Sequence, residues 1–251
     1  MDDSTSTSQY RRCQQIFERW YPGFRNAGEQ FRDIVAGLVT PEARLLDLGC
    51  GRTSLAAEPL RRAKRTVGVD LSLPDLQQTH ALDDAIMADG EELPFVDNSF
   101  DLVVSQWAVE HFRHPGLVFA QFARTQRTGG SCVLFTTNAL NYVPLLSRLL
   151  TGKSQSGLIA RFLRRPSRES FPTFYRASTA AQIESFCRGT EMHAIATICV
   201  VNPFYLAFSP LLFYLALAYE MTTDAPRLNP LKLYLLTVLS KPANMTIRVV
   251  V

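Results

Sequence analysis

A chain of 251 residues, 47% hydrophobic and 20% charged, carries enough apolar material for one large domain or two small ones and is not a disordered polypeptide. Twenty-six lysines and arginines against 23 acids leave a net charge of +3, too mild a balance to point to nucleic acid, which asks for a clustered basic stripe. The five cysteines (Cys13, Cys50, Cys132, Cys187, Cys199) are odd in number, far apart and without a C-x-x-C pair, which argues against a disulfide framework or a zinc site and fits a reducing cytoplasm.

The polar start MDDSTSTSQYRR has no apolar run of the kind a secretory signal needs. Two helices are predicted next, over residues 8–20 and 26–38, separated by Tyr21-Pro22-Gly23 and ended by Thr40-Pro41. Short apolar runs then alternate with helical stretches, the rhythm of a parallel sheet. The expected strands are 44–48, 66–70, 85–88, 102–105 and 131–137, with helices over 54–63, 74–80 and 115–125. Pro115 suits a first helical turn, where its missing N–H costs nothing. Residues 139–172, rich in Leu and Arg (Arg161, Arg164, Arg165, Arg168), break the rhythm and predict two inserted helices. Ser178 is the expected cap of a helix over 179–187. Residues 193–201 and 245–251 read as two closing strands, separated by an apolar helix over 206–219 and an apolar stretch over 231–239. The charge-free run 194–219 is long enough to span a bilayer, but Asn202, Pro203, Ser209 and Pro210 interrupt it, so a strand followed by a helix is the better reading. Asn244-Met245-Thr246 matches a glycosylation sequon and is read as chance.

The densest chemical signal is Leu45-Leu46-Asp47-Leu48-Gly49-Cys50-Gly51, an apolar strand ending in an acid and then two glycines. Glycines there let a backbone pass close beneath a ligand. Position 54 is Ser54, so the G-x-G-x-x-G dinucleotide fingerprint is not met. Val67-Gly68-Val69-Asp70 ends a second strand in an acid placed to accept from ribose hydroxyls, with Leu71 after it. Asp89-Gly90 follows the third strand, where a side chain and a backbone can meet an adenine edge.

Together LLDLGCG, VGVD, ADGEELPF, FDLVVSQWAVEHFRHP and RTGGSCVLFTTN resemble, in order and spacing, the motifs of class I S-adenosylmethionine-dependent methyltransferases, above all the small-molecule type 11 group. The resemblance implies an α/β fold: a doubly wound, seven-stranded, mostly parallel Rossmann-like sheet with a reversed last strand, and helical insertions after strand 5 and between strands 6 and 7. It implies S-adenosyl-L-methionine as cofactor, with Asp47, Gly49, Cys50 and Gly51 around the methionine moiety. Asp70 falls to the ribose, with Leu71 beside it among the cofactor contacts, Asp89 and Gly90 to the adenine, and the backbone of Ser105 and Gln106 to the methionine amino group. Thr53 and Arg127-Thr128 depart from the family's third glycine and its Lys-Pro. One domain over residues 1–251 is expected, with an N-terminal helical lid (1–40), a cofactor core (41–138) and helical covers (139–175 and 203–243).

Methyl transfer from a sulfonium asks mainly for alignment and exclusion of water. His111 in the Glu110-His111 pair is the candidate base, against the alternative that the pair only fixes a turn. Metal is not expected. The aromatics Phe17, Trp20, Tyr21, Phe24 and Phe31 read equally as a lid or as packing, and Tyr21, Phe24, His111 and Tyr142 are the candidate acceptor contacts. An apolar segment over 203–219 points to a small hydrophobic or aromatic acceptor, a homodimer seam or peripheral membrane contact. The expected reaction is O-methylation, with N- or C-methylation next. The competing readings are a non-catalytic cofactor-binding or protein-interaction module and a nicotinamide-dependent oxidoreductase.

Overall fold

In the computed structural model, which describes residues 3–150 and 171–242, the apolar runs assemble into one seven-stranded sheet. Its strands are β1 (Arg44–Leu48), β2 (Arg65–Asp70), β3 (Asp84–Met87), β4 (Phe100–Gln106), β5 (Gln126–Thr137), β6 (His193–Val200) and β7 (Tyr234–Ser240), in the order β3-β2-β1-β4-β5-β7-β6. Neighbours from β3 to β5 run parallel, in register Asp47 with Gly68 and Val104, and Asp70 with Met87. β7 runs against β5: Gly129 N–H donates to the Lys241 carbonyl at one end and Asn138 N–H to the Leu233 carbonyl at the other. Central strands are buried on both faces, which is why they read as continuous apolar runs; β3, at the edge, alternates.

The residues fall into two compact units. Among the described residues, the sheet unit comprises 28–136, 172–198 and 235–242. Its core packs Leu46, Val69, Val103 and Leu134 of the sheet against Phe119 and Phe122 of the helix Pro115–Thr125, and against Ile183 and Cys187 of the helix Ala180–Cys187. Phe31, from the helix Ala27–Leu38, lies 5.6 Å from Phe135 of β5. Among the described residues, the helical unit comprises 3–27, 137–150, 171 and 199–234. There Cys13 and Phe17 of the helix Asp3–Trp20 pack with Phe213 and Leu217 of the helix Pro210–Thr223.

Several expectations are corrected. The closing strand is Tyr234–Ser240, within the stretch read as an apolar insertion, while 245–251 and the sequon lie outside the described residues. The apolar helix is Pro210–Thr223, preceded by a separate 3₁₀ turn, Pro203–Leu206; Pro210 can begin a helix but cannot sit inside one. Helices expected over 54–63 and 74–80 are single turns, Ala57–Leu60 and Leu73–Leu76. Thr179, not Ser178, caps the helix Ala180–Cys187, its hydroxyl accepting from Gln182 N–H at 3.2 Å. Of the two helices expected over 139–172, Tyr142–Leu150 is present, and Arg161 to Arg168 lie outside the described residues. No helix among the described residues is long and apolar enough to cross a membrane.

Candidate functional site

The strand order reverses between β1 and β4, and the loops leaving the carboxyl ends of β1, β2, β3 and β4 meet at that reversal, where open α/β sheets bind ligands. The turn after β1 is made by two left-handed glycines, Gly49 (φ +73°) and Gly51 (φ +52°). They are needed for different reasons. A Cβ on Gly49 would overlap the Cβ of Ala108, whereas a Cβ on Gly51 would meet nothing within 4 Å. Cys50 points away from this surface: its thiol packs 2.7 Å from where a Gly68 side chain would begin, and burial pushes its pKa well up. Cys50 therefore offers a ligand only its backbone.

Asp70 ends β2 and clasps the turn. One carboxylate oxygen accepts from Gly51 N–H at 2.9 Å and the other from Ser72 N–H at 2.8 Å. A carboxylate has about four acceptor positions, so room remains for two hydroxyls. Leu71, beside it, is exposed. Asp89 is exposed, and its carboxylate turns back to Glu91 N–H at 2.9 Å; Gly90 lies against Leu48, 3.1 Å from the position of an added Cβ.

Asp47 is fully buried, and neither of its carboxylate oxygens has a hydrogen-bond partner among the described residues. Burial pushes its pKa up to about 7, the Ser54 hydroxyl, near it but outside hydrogen-bonding geometry, pulls against that push and the Asp70 charge adds to it. Ser105 is also buried, with a hydroxyl that finds no partner among the described residues. These orphaned acceptors at the glycine turn fit the ammonium and hydroxyl donors of the expected cofactor. The Gln106 side chain has a structural task of its own. Its amide oxygen accepts from Leu55 N–H at 2.9 Å and its amide nitrogen donates to the Thr53 carbonyl at 3.1 Å, tying the glycine loop to β4. Trp107 follows in the left-handed region (φ +49°), a strained conformation for a bulky residue, with its ring 4.9 Å from Phe135 and part of the indole exposed. The sequence carried no cue to that strain.

His111 sits in a 3₁₀ turn after β4, with Nδ1 3.1 Å from the Pro172 carbonyl. A carbonyl only accepts, so Nδ1 is the donor in this contact. The buried Glu110 accepts from the Thr136 hydroxyl at 2.7 Å, and its carbonyl accepts from Phe174 and Tyr175 N–H, so it anchors the turn. His114 pairs with Glu91 at 2.8 Å.

Tyr21, Phe24 and Tyr142 belong to the helical unit. Tyr21 and Phe24 pack on Phe17, and the Tyr21 hydroxyl donates to Asp224 at 2.7 Å. The Tyr142 hydroxyl is buried and finds no partner among the described residues. One residue was missed from the sequence altogether. Glu220, fully buried, accepts from Asn202 N–H at 3.1 Å through one oxygen, while the other is unpartnered among the described residues. Burial pushes its pKa up to about 7. The signal was present: Phe213, Ala216, Leu217, Glu220 and Thr223 form one buried helical stripe, with an acid in an apolar row.

Residues 46–134 match the family described as a methyltransferase domain. The chain is 27% identical over 146 residues to a malonyl-[acyl-carrier protein] O-methyltransferase of Hamiltonella defensa, covering 57% of this chain and 56% of that protein. It is 28% identical over 153 residues to a ubiquinone biosynthesis O-methyltransferase of Hahella chejuensis, covering 54% of this chain and 63% of that protein. The match thus spans little more than half the length of these curated relatives. The fold is shared with geranyl diphosphate C-methyltransferase of Streptomyces coelicolor, solved with S-adenosyl-L-homocysteine: TM-score 0.57 at 14% identity, over 84% of this chain and 76% of that one.

Proposed function

We propose that the chain, whose residues 46–134 match the methyltransferase domain family and whose fold is shared with a class I methyltransferase, transfers the methyl group of S-adenosyl-L-methionine to a small hydrophobic or aromatic acceptor, at oxygen. The observation that carries this reading is the buried Asp47, both oxygens unspent, beside a glycine turn clasped by Asp70. Asp47 and Ser105 are assigned to the amino-acid end of the cofactor, Asp70 and Leu71 to the ribose, and Asp89 with Gly90 to the adenine. When bound, the cofactor supplies an electrophilic methyl group on a good leaving group. What remains for the chain is to orient, to exclude water and to take a proton. His111, whose Nδ1 lies 3.1 Å from the Pro172 carbonyl at the turn after β4, is assigned the last task.

Oxygen as the target is supported by the two relatives, both of which are named O-methyltransferases. An apolar acceptor is supported by the aromatic cluster of Phe17, Tyr21, Phe24 and Phe204 in the helical unit. The outer face of the helix Pro210–Thr223 exposes Leu211, Tyr214 and Leu215, which supports a lipid surface or a second copy of the chain as partner.

Calorimetry with S-adenosyl-L-homocysteine tests the cradle. The wild type should bind, and Asp70→Ala should weaken binding 10- to 100-fold, matching about 1.5–3 kcal/mol for hydrogen bonds to a charged group. Absent binding, or unchanged affinity in the variant, refutes the assignment. With methyl-labelled cofactor and a panel of phenols, His111→Ala should lower turnover and spare cofactor affinity; turnover at the wild-type level removes His111 from proton transfer.

A further inference from the structure

Trp107 occupies a backbone state that its residue type does not favour. It follows β4 with φ +49°, where a bulky side chain is strained and glycine or asparagine is the unstrained choice. The neighbours dictate that turn. On one side the Gln106 amide is tied to Leu55 N–H and the Thr53 carbonyl; on the other, the Ala108 Cβ stands where a Gly49 side chain would begin. Trp107 N–H donates to the Phe135 carbonyl at 2.8 Å, carrying the β4–β5 pairing one bond further. The backbone at 107 is therefore fixed to the glycine turn and to β5, and the strain comes from placing an indole there. That indole is not buried in the core. Its ring meets the buried Phe135 ring at 4.9 Å, tilted by 44°, while 44% of the residue stays open. It is the one exposed aromatic among the described residues of the sheet unit. In strand order the assigned ribose and adenine contacts belong to β2 and β3, whereas Trp107 leaves β4 on the other side of β1, directly after Ser105 and Gln106.

We infer that the open indole of Trp107 is the surface on which the acceptor stacks, and that it selects a planar aromatic ring over an aliphatic one. This role rests on the methyl-transfer reading above and narrows the acceptor's shape. Offset or edge-on packing against an aromatic face favours a flat ring over a puckered one of the same size. An indole face also attracts cations, but the cofactor assigned to the cradle is itself a sulfonium cation and repels a second one. The strain at 107 is what it costs to hold the ring out beside the glycine turn instead of folding it into the core. Trp107 is thus a specificity-determining residue, with proton transfer left to His111.

Tryptophan fluorescence tests it directly. The chain has two tryptophans, so Trp20→Phe leaves Trp107 as the single indole emitter. Catechol should quench that emission saturably, whereas cyclohexane-1,2-diol and choline should act about tenfold more weakly. In calorimetry, Trp107→Leu should bind catechol about tenfold more weakly than the wild type, and Trp107→Tyr, which keeps an aromatic face, should stay within about threefold of it. S-adenosyl-L-homocysteine affinity, measured in parallel, should be unchanged in both variants. The stacking role is overturned if catechol leaves Trp107 emission unchanged, if cyclohexane-1,2-diol or choline quenches as well as catechol, or if Trp107→Leu binds catechol like the wild type. It is equally overturned if Trp107→Leu lowers the melting temperature while catechol affinity holds, since the ring would then serve only its packing on Phe135. Should Trp107→Leu fail to fold, the quenching and Trp107→Tyr decide the matter. Quenching by catechol without any binding of S-adenosyl-L-homocysteine would refute the cradle and leave the stacking surface standing; the reverse pair of results would refute the stacking surface alone.

Discussion

Gly49 and Gly51 look alike in sequence and are held for different causes. Both need the left-handed region, which costs a residue with a Cβ roughly 1–2 kcal/mol. Gly49 must also accommodate Ala108, and the packed backbone has no easy way to yield there. Gly49→Ala should therefore destabilise the protein by more than about 2 kcal/mol, lowering the melting temperature by at least about 4 °C. Gly51→Ala meets open space and should cost only the conformational part, while reducing S-adenosyl-L-homocysteine affinity at least tenfold. Thermal melts and calorimetry on both variants would show the split. Two variants with equal melting temperatures, or a Gly51→Ala that binds like the wild type, would deny the two glycines separate roles.

At the scale of elements, the parallel half of the sheet was legible because β1 and β2 are short apolar runs, each with an acid as its last or next-to-last residue and glycine or serine soon after. β7 was not, because a strand buried on both faces has no alternation, and residues 231–239 read as well as an apolar helix segment. The sequence placed Asp47 and Asp70 at or next to the strand tips, but it could not say that Asp70 is already clasped by two N–H groups or that the Gln106 amide ties the glycine loop to β4. Those depend on loops folding back from 51–55 and 72, which no periodicity encodes. Glu220 was overlooked because the charge-free run ended one residue before it, so it looked like the edge of an apolar segment rather than part of its buried stripe. The cap of the helix Ala180–Cys187 shows the same limit, since Ser178 and Thr179 are equivalent by residue type. Thr179 accepts from Gln182 N–H, while the Ser178 hydroxyl has no partner among the described residues. Thr179→Ala should cost about 1 kcal/mol, and Ser178→Ala should be neutral or slightly stabilising. Urea melts that rank the two in the opposite order would return the cap to Ser178.

For the whole molecule, two buried acids set how stability responds to pH. Asp47 rises from an ordinary 3.8, and Glu220 from 4.5, each to about 7, with burial the first cause in both. Around Asp47 the Ser54 hydroxyl lowers and the Asp70 charge raises; around Glu220 the Asn202 N–H and Lys232 lower and Asp224 raises. Between about pH 4 and pH 7 the folded protein keeps protons that the unfolded chain has released, so these groups make stability fall as pH rises through that interval and level off above it. Asp75, held below the usual carboxylate range by its hydrogen bond from Arg52, acts in the opposite sense, but only below its ordinary 3.8. The urea midpoint should be higher at pH 5.5 than at pH 8, and Asp47→Asn and Glu220→Gln should each remove part of the difference. A midpoint that climbs with pH, or variants with the wild-type slope, would contradict the burial of these acids. The same linkage reaches the cradle. A ligand whose ammonium donates to Asp47 favours the ionised form, so S-adenosyl-L-homocysteine should release a proton on binding near pH 6.5 and stabilise the protein more at pH 8 than at pH 5.5. Calorimetry in two buffers of different ionisation enthalpy reads that proton directly. Asp47→Asn should abolish its release, whereas Glu220→Gln should leave it unchanged.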